Sequence, residues 1–180
     1  MKILFFSDIH GIDENLKFIK EIDDKENFDK IVVLGDLYYP GPANDDLKKV
    51  NIKKVKEFLT NYQERLVCVR GNCDSDVDIK ASDFPVCSDL TLICVDGLDI
   101  YCTHGNKYNM DNDRKFRRKG ILVYGHEHFP FIKTKNDMTF INVGSISLPR
   151  NGSEASYGIY SDKIFTIYGI SGTKVDQISL

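Results

Sequence analysis

The chain has 180 residues, enough for one domain with a sizeable core, and its 42% hydrophobic and 28% charged residues exclude a disordered or membrane-embedded chain. A formal net charge of -3 speaks against a protein whose main work is gripping a nucleic acid backbone. The five cysteines form no CxxC pair, and an odd number suits no disulfide framework, so a reducing, cytoplasmic setting is expected.

Taken in chain order, Ile3-Leu4-Phe5-Phe6 is a short apolar run, as expected of a strand covered on both faces. It is too short for the roughly 7–15-residue apolar core of a secretion signal. No later stretch approaches the ~20 apolar residues of a membrane span. Asp13 is placed to cap a helix that carries Leu16, Ile19 and Ile22 on one face. A second buried strand is expected over 31–34. Tyr38-Tyr39-Pro40-Gly41-Pro42 must be a loop, followed by a helix over about 45–61 and a third strand over 66–69. After residue 86 the segments shorten and become β-rich: 90–95, 98–103, 121–124, 130–134 and 138–143. Asp96-Gly97 and Asn136-Asp137 mark two hairpins. The basic segment 111–119 reads as a surface helix or loop, and strands near 157–160, 163–169 and 174–179 end the chain. The pattern predicts a single domain over 1–180, an α/β first half joined to a mostly antiparallel second half.

All four histidines fall in three short motifs. These are Ser7-Asp8-Ile9-His10-Gly11, Thr103-His104-Gly105 and Gly125-His126-Glu127-His128, with Gly35-Asp36 and Gly71-Asn72 between them. Each motif taken alone is ordinary turn chemistry. Their placement is not: every one follows the carboxyl end of an expected strand, where open α/β sheets gather their ligands. Imidazole, carboxylate and amide oxygen together form a ligand set for divalent transition metals. His126 and His128, as alternate residues of an extended segment, would point the same way. His126-Glu127-His128 is not the H-E-x-x-H zinc motif, which needs a helix.

The ordered blocks Asp8-x-His10, Gly35-Asp36, Gly71-Asn72, His104 and Gly125-His126-x-His128 resemble the calcineurin-like metallophosphoesterase superfamily. Arg70-Gly71-Asn72-Cys73-Asp74 and Asn142-Val143-Gly144-Ser145 resemble in particular its small bacterial YfcE-type phosphodiesterase branch. The resemblance implies a β-sandwich flanked by helices in four αββα layers, with two divalent ions, manganese above all, on its upper edge. One ion would be held by Asp8, His10, Asp36 and His128. The other would be held by Asp36, Asn72, His104 and His126, with Asp36 bridging. Such a pair, about 3.5–4 Å apart, suits hydrolysis of a small-molecule phosphodiester by a bridging hydroxide. Two divalent ions set against Asp8, Asp36 and that hydroxide leave roughly one positive charge to attract the substrate. Asn72 and Cys73 are the candidate catalytic residues, and Gly144 and Ser145 the candidate substrate contacts at the rim.

Cys73 departs from the superfamily, many of whose members carry histidine after the Gly-Asn pair. A thiol there predicts poor hydrolysis of esters with poor leaving groups. Tyr38, Tyr39 and their prolines, Pro40 and Pro42, are expected at the substrate cleft or against a neighbouring subunit; relatives in the branch are oligomeric, and a homo-oligomer is expected. Two other functions share the fold: a scaffold that binds partners, and a phosphomonoesterase or nucleotidase. The filled His10 position speaks against the first, and Cys73 against the second. No membrane or nucleic acid partner is expected.

Overall fold

The computed structural model describes residues 1–41, 49–87, 89–113 and 120–180. The three apolar runs of the first half, Ile3–Phe6 (β1), Lys30–Val33 (β2) and Leu66–Cys68 (β3), lie side by side and parallel. Strand alternation gives β1 two kinds of contact. Leu4 and Phe6 pack beneath helices α1 (Leu16–Glu26) and α2 (Ile52–Thr60), while Ile3 and Phe5 face a second sheet. All four are fully buried, which is why this run carries no polar residue.

The second sheet contains β4 (Leu90–Val95), β5 (Leu98–Thr103), β6 (Gly120–Tyr124), β7 (Pro130–Lys135) and β8 (Met138–Val143), in the order β4-β5-β6-β8-β7. Both expected hairpins form. The second half is mostly antiparallel as expected, and within this sheet the β5–β6 and β6–β8 pairs are the exceptions, being parallel. Turn residues announce the hairpins; nothing local announces the longer crossovers. That parallel centre sends the carboxyl ends of β5, β6 and β8 to one edge. The last strands, β9 (Ser156–Ser161), β10 (Ile164–Gly169) and β11 (Lys174–Ser179), return to extend the first sheet, with β9 antiparallel to β1. The result is the expected α/β sandwich flanked by helices. Phe5 and Phe165, with ring centroids 5.1 Å apart, lie in the core between the sheets.

Three local readings differ from the structure. The cap of α1 is Asn15, not Asp13; Asn15 makes no side-chain cap, and its amide instead donates to the Ile146 carbonyl at 2.7 Å. The second helix begins at Ile52 rather than near 45. Val50 is held in a bridge with Ile12, and Asn51 caps the helix with its side chain, accepting from Lys54 N–H. Residues 42–48 of that stretch lie outside the described residues, as does the basic run 114–119. A short helix α3 (Asp76–Ala81) is an addition, started by a capping box between Ser75 and Asp78. No described helix is long and apolar enough to cross a membrane.

Candidate metal centre

The loops leaving β1, β2, β3, β5 and β6 meet at one edge of the sandwich and are stitched together by backbone hydrogen bonds. Asp8 N–H donates to Gly35 O at 3.1 Å, His10 N–H to Asp36 O at 2.9 Å, and Gly125 N–H to His104 O at 2.9 Å. Each of the two aspartates has one oxygen tied down by a backbone amide. Asp8 Oδ2 accepts from His126 N–H at 3.0 Å, and Asp36 Oδ1 from Cys73 N–H at 2.8 Å. The other oxygens point inward. Asp36 Oδ2 lies 3.2 Å from His104 Nε2 and 3.7 Å from His10 Nε2. Asp8 Oδ1 lies 3.2 Å from His128 Nε2, is fully buried, and has no hydrogen-bond donor.

The imidazoles are oriented from behind. Nδ1 of His10, His104 and His128 each sits 2.7 Å from a backbone carbonyl, of Tyr39, Leu34 and Leu148 respectively. Donation from Nδ1 fixes the tautomer and turns the Nε2 lone pair inward. Two such lone pairs, on His10 and His128, stand 3.3 Å apart, and in neutral rings neither has a proton to offer the other. His126 turns Nδ1 inward instead, 3.2 Å from His104 Nε2, and Asn72 Oδ1 lies 3.0 Å from that same nitrogen. Converging lone pairs and an undonated buried carboxylate oxygen are costly unless a cation lies among them. The residues fit divalent metal. Ligand atoms of Asp8, His10 and His128, and of Asp8, Asp36 and His104, form groups within 4.8 Å. The structure thus gathers all seven expected ligands.

The electrostatics carry the same demand for positive charge. Burial opposes ionisation of Asp8, yet the neighbouring His10, His128 and His104 hold its carboxyl well below the usual range. Burial would lower His104, but Asp36 and Asp8 outweigh it and push the imidazole up to about 9. His126 moves the other way, lowered by burial and by the charge of His104.

Holding these groups together strains the backbone. Asp8, His10, Asp36, His126 and His128 all have φ between 50° and 65°, in the left-handed region that side chains disfavour. His126 and His128 therefore stand in a tight turn ahead of β7, and the expected extended alternation does not bring them together. Gly125 is required for close approach, since a Cβ there would collide with Ser7 Oγ and Asp8 Oδ2.

Several supporting residues escaped the sequence reading. Asp74 is buried and accepts from three backbone amides: Gly71 and Leu37 at 2.7 Å, and Asp36 at 2.9 Å. It locks the Asp36 loop to the Asn72 loop; its position two residues past Asn72 is the only signal. Asn142 bonds Gly125 O and Glu127 Oε2, both at 2.7 Å, and anchors the histidine turn. Gly144 and Ser145 are not at the rim. Ser145 is fully buried and its hydroxyl is consumed, donating to Asp8 O at 2.9 Å and accepting from Leu148 N–H at 2.8 Å, while Gly144 N–H is taken by Asn142. Tyr38 is buried and bonded to Ser82, and neither tyrosine lines the cleft; the expected Pro40, with Gly41, forms the wall. Arg70 is paired with Asp76 at 2.9 Å.

Above these groups opens a cleft of about 430 Å³, floored by His10, His126 and His128 with Asp36, Asn72 and Cys73. The Cys73 thiol is pushed up to about 12 by burial and the Asp36 carboxylate. A family model for the calcineurin-like phosphoesterase superfamily domain matches residues 1–163. The chain belongs to that superfamily. Within it, the chain is 30% identical to Phosphodiesterase YfcE of Escherichia coli K12, over 97% of this chain and 95% of that one. A solved structure of Yfce, described as a phosphoesterase from E. coli, superposes with a TM-score of 0.93 at 29% identity, covering 99% of each chain. Vacuolar Protein Sorting 29 from Cryptosporidium Parvum superposes with a TM-score of 0.69 at 17% identity, covering 99% of this chain and 98% of that one, a likeness of fold.

Proposed function

We propose that this superfamily member is a metal-dependent phosphodiesterase that works with two divalent ions, manganese foremost. The observation that carries the proposal is the buried Asp8 Oδ1, with no donor, facing the inward nitrogens of His10, His104 and His128. Asp36 Oδ2, 3.2 Å from His104 Nε2 and 3.7 Å from His10 Nε2, would be shared by both ions, one held with Asp8, His10 and His128 and the other with Asn72, His104 and His126. Nitrogen and oxygen donors without a thiolate in the set favour manganese over a structural zinc site. Divalent metal held there supplies Lewis acidity toward a phosphoryl oxygen and lowers the pKa of water. The chain itself supplies orientation. Fixed imidazoles and carboxylates cost no reorganisation during reaction, and the Pro40 and Leu148 walls narrow the approach to the floor. Cys73, where many superfamily members carry histidine, offers a thiol in place of an imidazole beside the leaving group, so phenolic diesters should react faster than alkyl ones. Five free thiols fit a reducing, cytoplasmic setting.

Hydrolysis of bis-p-nitrophenyl phosphate by metal-stripped protein tests the proposal. Turnover should return on adding manganese and be lost in His126→Ala. A folded protein that stays inert with every divalent metal would refute it.

A further inference from the structure

One wall of the cleft carries a positive charge that the ligand set does not explain. Ser147, Leu148, Pro149 and Arg150 form that wall, facing Pro40 and Gly41. It is not a free loop. Leu148 O accepts the His128 Nδ1 proton at 2.7 Å, and Arg150 N–H donates to His128 O at 2.9 Å, so the wall is clamped at two points to a ligand histidine. The Ser145 hydroxyl ties the same wall to the Asp8 backbone, accepting from Ser147 and Leu148 while donating to Asp8 O. Beyond Arg150 the chain turns at once, with Asn151 and Gly152 in the left-handed region and Ser153 Oγ donating to Arg150 O at 2.7 Å. The Arg150 backbone is therefore fixed relative to the floor.

Its side chain is exposed and, among the described residues, has no anionic partner. The other two described arginines have one. Arg65 is bound to the buried Asp23, and Arg70 to Asp76. Among the described residues, Arg150 is also the one lysine or arginine on the walls of this cleft. The reacting phosphate, with its single negative charge as a diester, is answered on the floor. A guanidinium on the wall, with apolar Leu148 and Pro149 leading to it, answers a second anion farther along one ester arm. Its planar fork matches a carboxylate or phosphate in two-point contact.

We propose that Arg150 is a specificity residue, and that the substrate is a phosphodiester with an apolar stretch and a further carboxylate or phosphate on one arm. This rests on the phosphodiesterase reading and names the substrate class for it. Bis-p-nitrophenyl phosphate and p-nitrophenyl 4-carboxyphenyl phosphate separate the two claims, since nitro and carboxylate groups are near-isosteric and differ in charge. Consumption of each diester would be followed in the wild type, Arg150→Ala and Arg150→Glu with manganese. Comparing the two diesters within each protein, and then between proteins, cancels their intrinsic reactivity. The relative kcat/KM for the carboxylate ester should fall about two- to fivefold in Arg150→Ala, as for a solvent-exposed charged pair, and farther in Arg150→Glu. Arg150→Lys should recover only part of it. Equal effects on both diesters, or none on either, would overturn the assignment. A wild type that consumes neither diester would refute the phosphodiesterase reading instead. Calorimetric titration of that inert protein with the same two compounds would then decide the Arg150 claim: tighter binding of the carboxylate ester, lost in Arg150→Ala, supports it, and equal binding refutes it.

Discussion

Two clefts of this molecule differ in a way that separates size from chemistry. The larger, about 610 Å³, lies between α1 and strands β9 to β11 and is lined by Phe18, Ile22, Tyr157, Ile159 and Tyr168 with a few charged residues at its edge. Its two lysines, Lys2 and Lys25, both reach Glu26, and its rings stack on one another, Tyr157 on Tyr168 at 5.8 Å. It holds no histidine or cysteine, and its backbone is unusual only in turns. The smaller cleft, about 430 Å³, has strained candidate ligand residues, imidazoles aimed at one another and, beneath its floor, the undonated buried oxygen of Asp8. Groove volume follows from how helices fit over a twisted sheet. Unsatisfied chemistry has to be held in place by the rest of the fold, and it marks the working site.

The widest gap between the clefts should appear in activity. His104→Ala removes an inward ligand and should lower kcat/KM for bis-p-nitrophenyl phosphate by about 10³-fold or more. Tyr168→Ala in the larger cleft should change it by less than about twofold. Comparable losses would erase the distinction. Stability sharpens it next. Gly125→Ala drives a methyl group into Ser7 and Asp8 and should cost about 3 kcal/mol or more in urea unfolding. Gly172→Ala, on the lining of the larger cleft, meets nothing within 4 Å and should cost only about 1 kcal/mol for its positive φ.

Cys73→His gives a smaller and opposite change. A histidine beside the floor should raise turnover of alkyl phosphodiesters about tenfold, and an unchanged rate would remove this position from the mechanism. The mildest effect concerns pH. Burial pushes the phenols of Tyr157 in the larger cleft and Tyr38 near the metal centre up to about 12. An unfolded phenol ionises at about pH 10. The folded state therefore keeps protons that the unfolded state gives up, and stability should decline as pH rises from about 10 toward 12. Tyr157→Phe should flatten that decline in urea midpoints taken across the range, and an unaltered slope would count against the assigned burial effect.

Much of the centre was legible because each ligand stands just beyond an apolar run, and a run of Ile3 to Phe6 can hardly be anything but a covered strand. What stayed hidden depends on partners distant in sequence. Nothing near residue 157 says that β9 will lie against β1, and the parallel core of the second sheet is set by crossovers that leave no local mark. Asp74 looks like one more turn aspartate until the Asp36 loop is laid against it. Ser145 reads as a rim hydroxyl because its real acceptor, the Asp8 carbonyl, is 137 positions away. Arg150 shows no pattern at all, and only the clamp from His128 gives its position meaning.

The central claim is that seven side chains build one shared centre for two ions, with Asp36 common to both. Manganese titrated into metal-stripped protein, followed by calorimetry and electron paramagnetic resonance, tests it most directly. Two ions per chain with an exchange-coupled signal, uncoupled or reduced to one ion in Asp36→Asn, is the predicted result. A single ion per chain, or two that never couple, would contradict it.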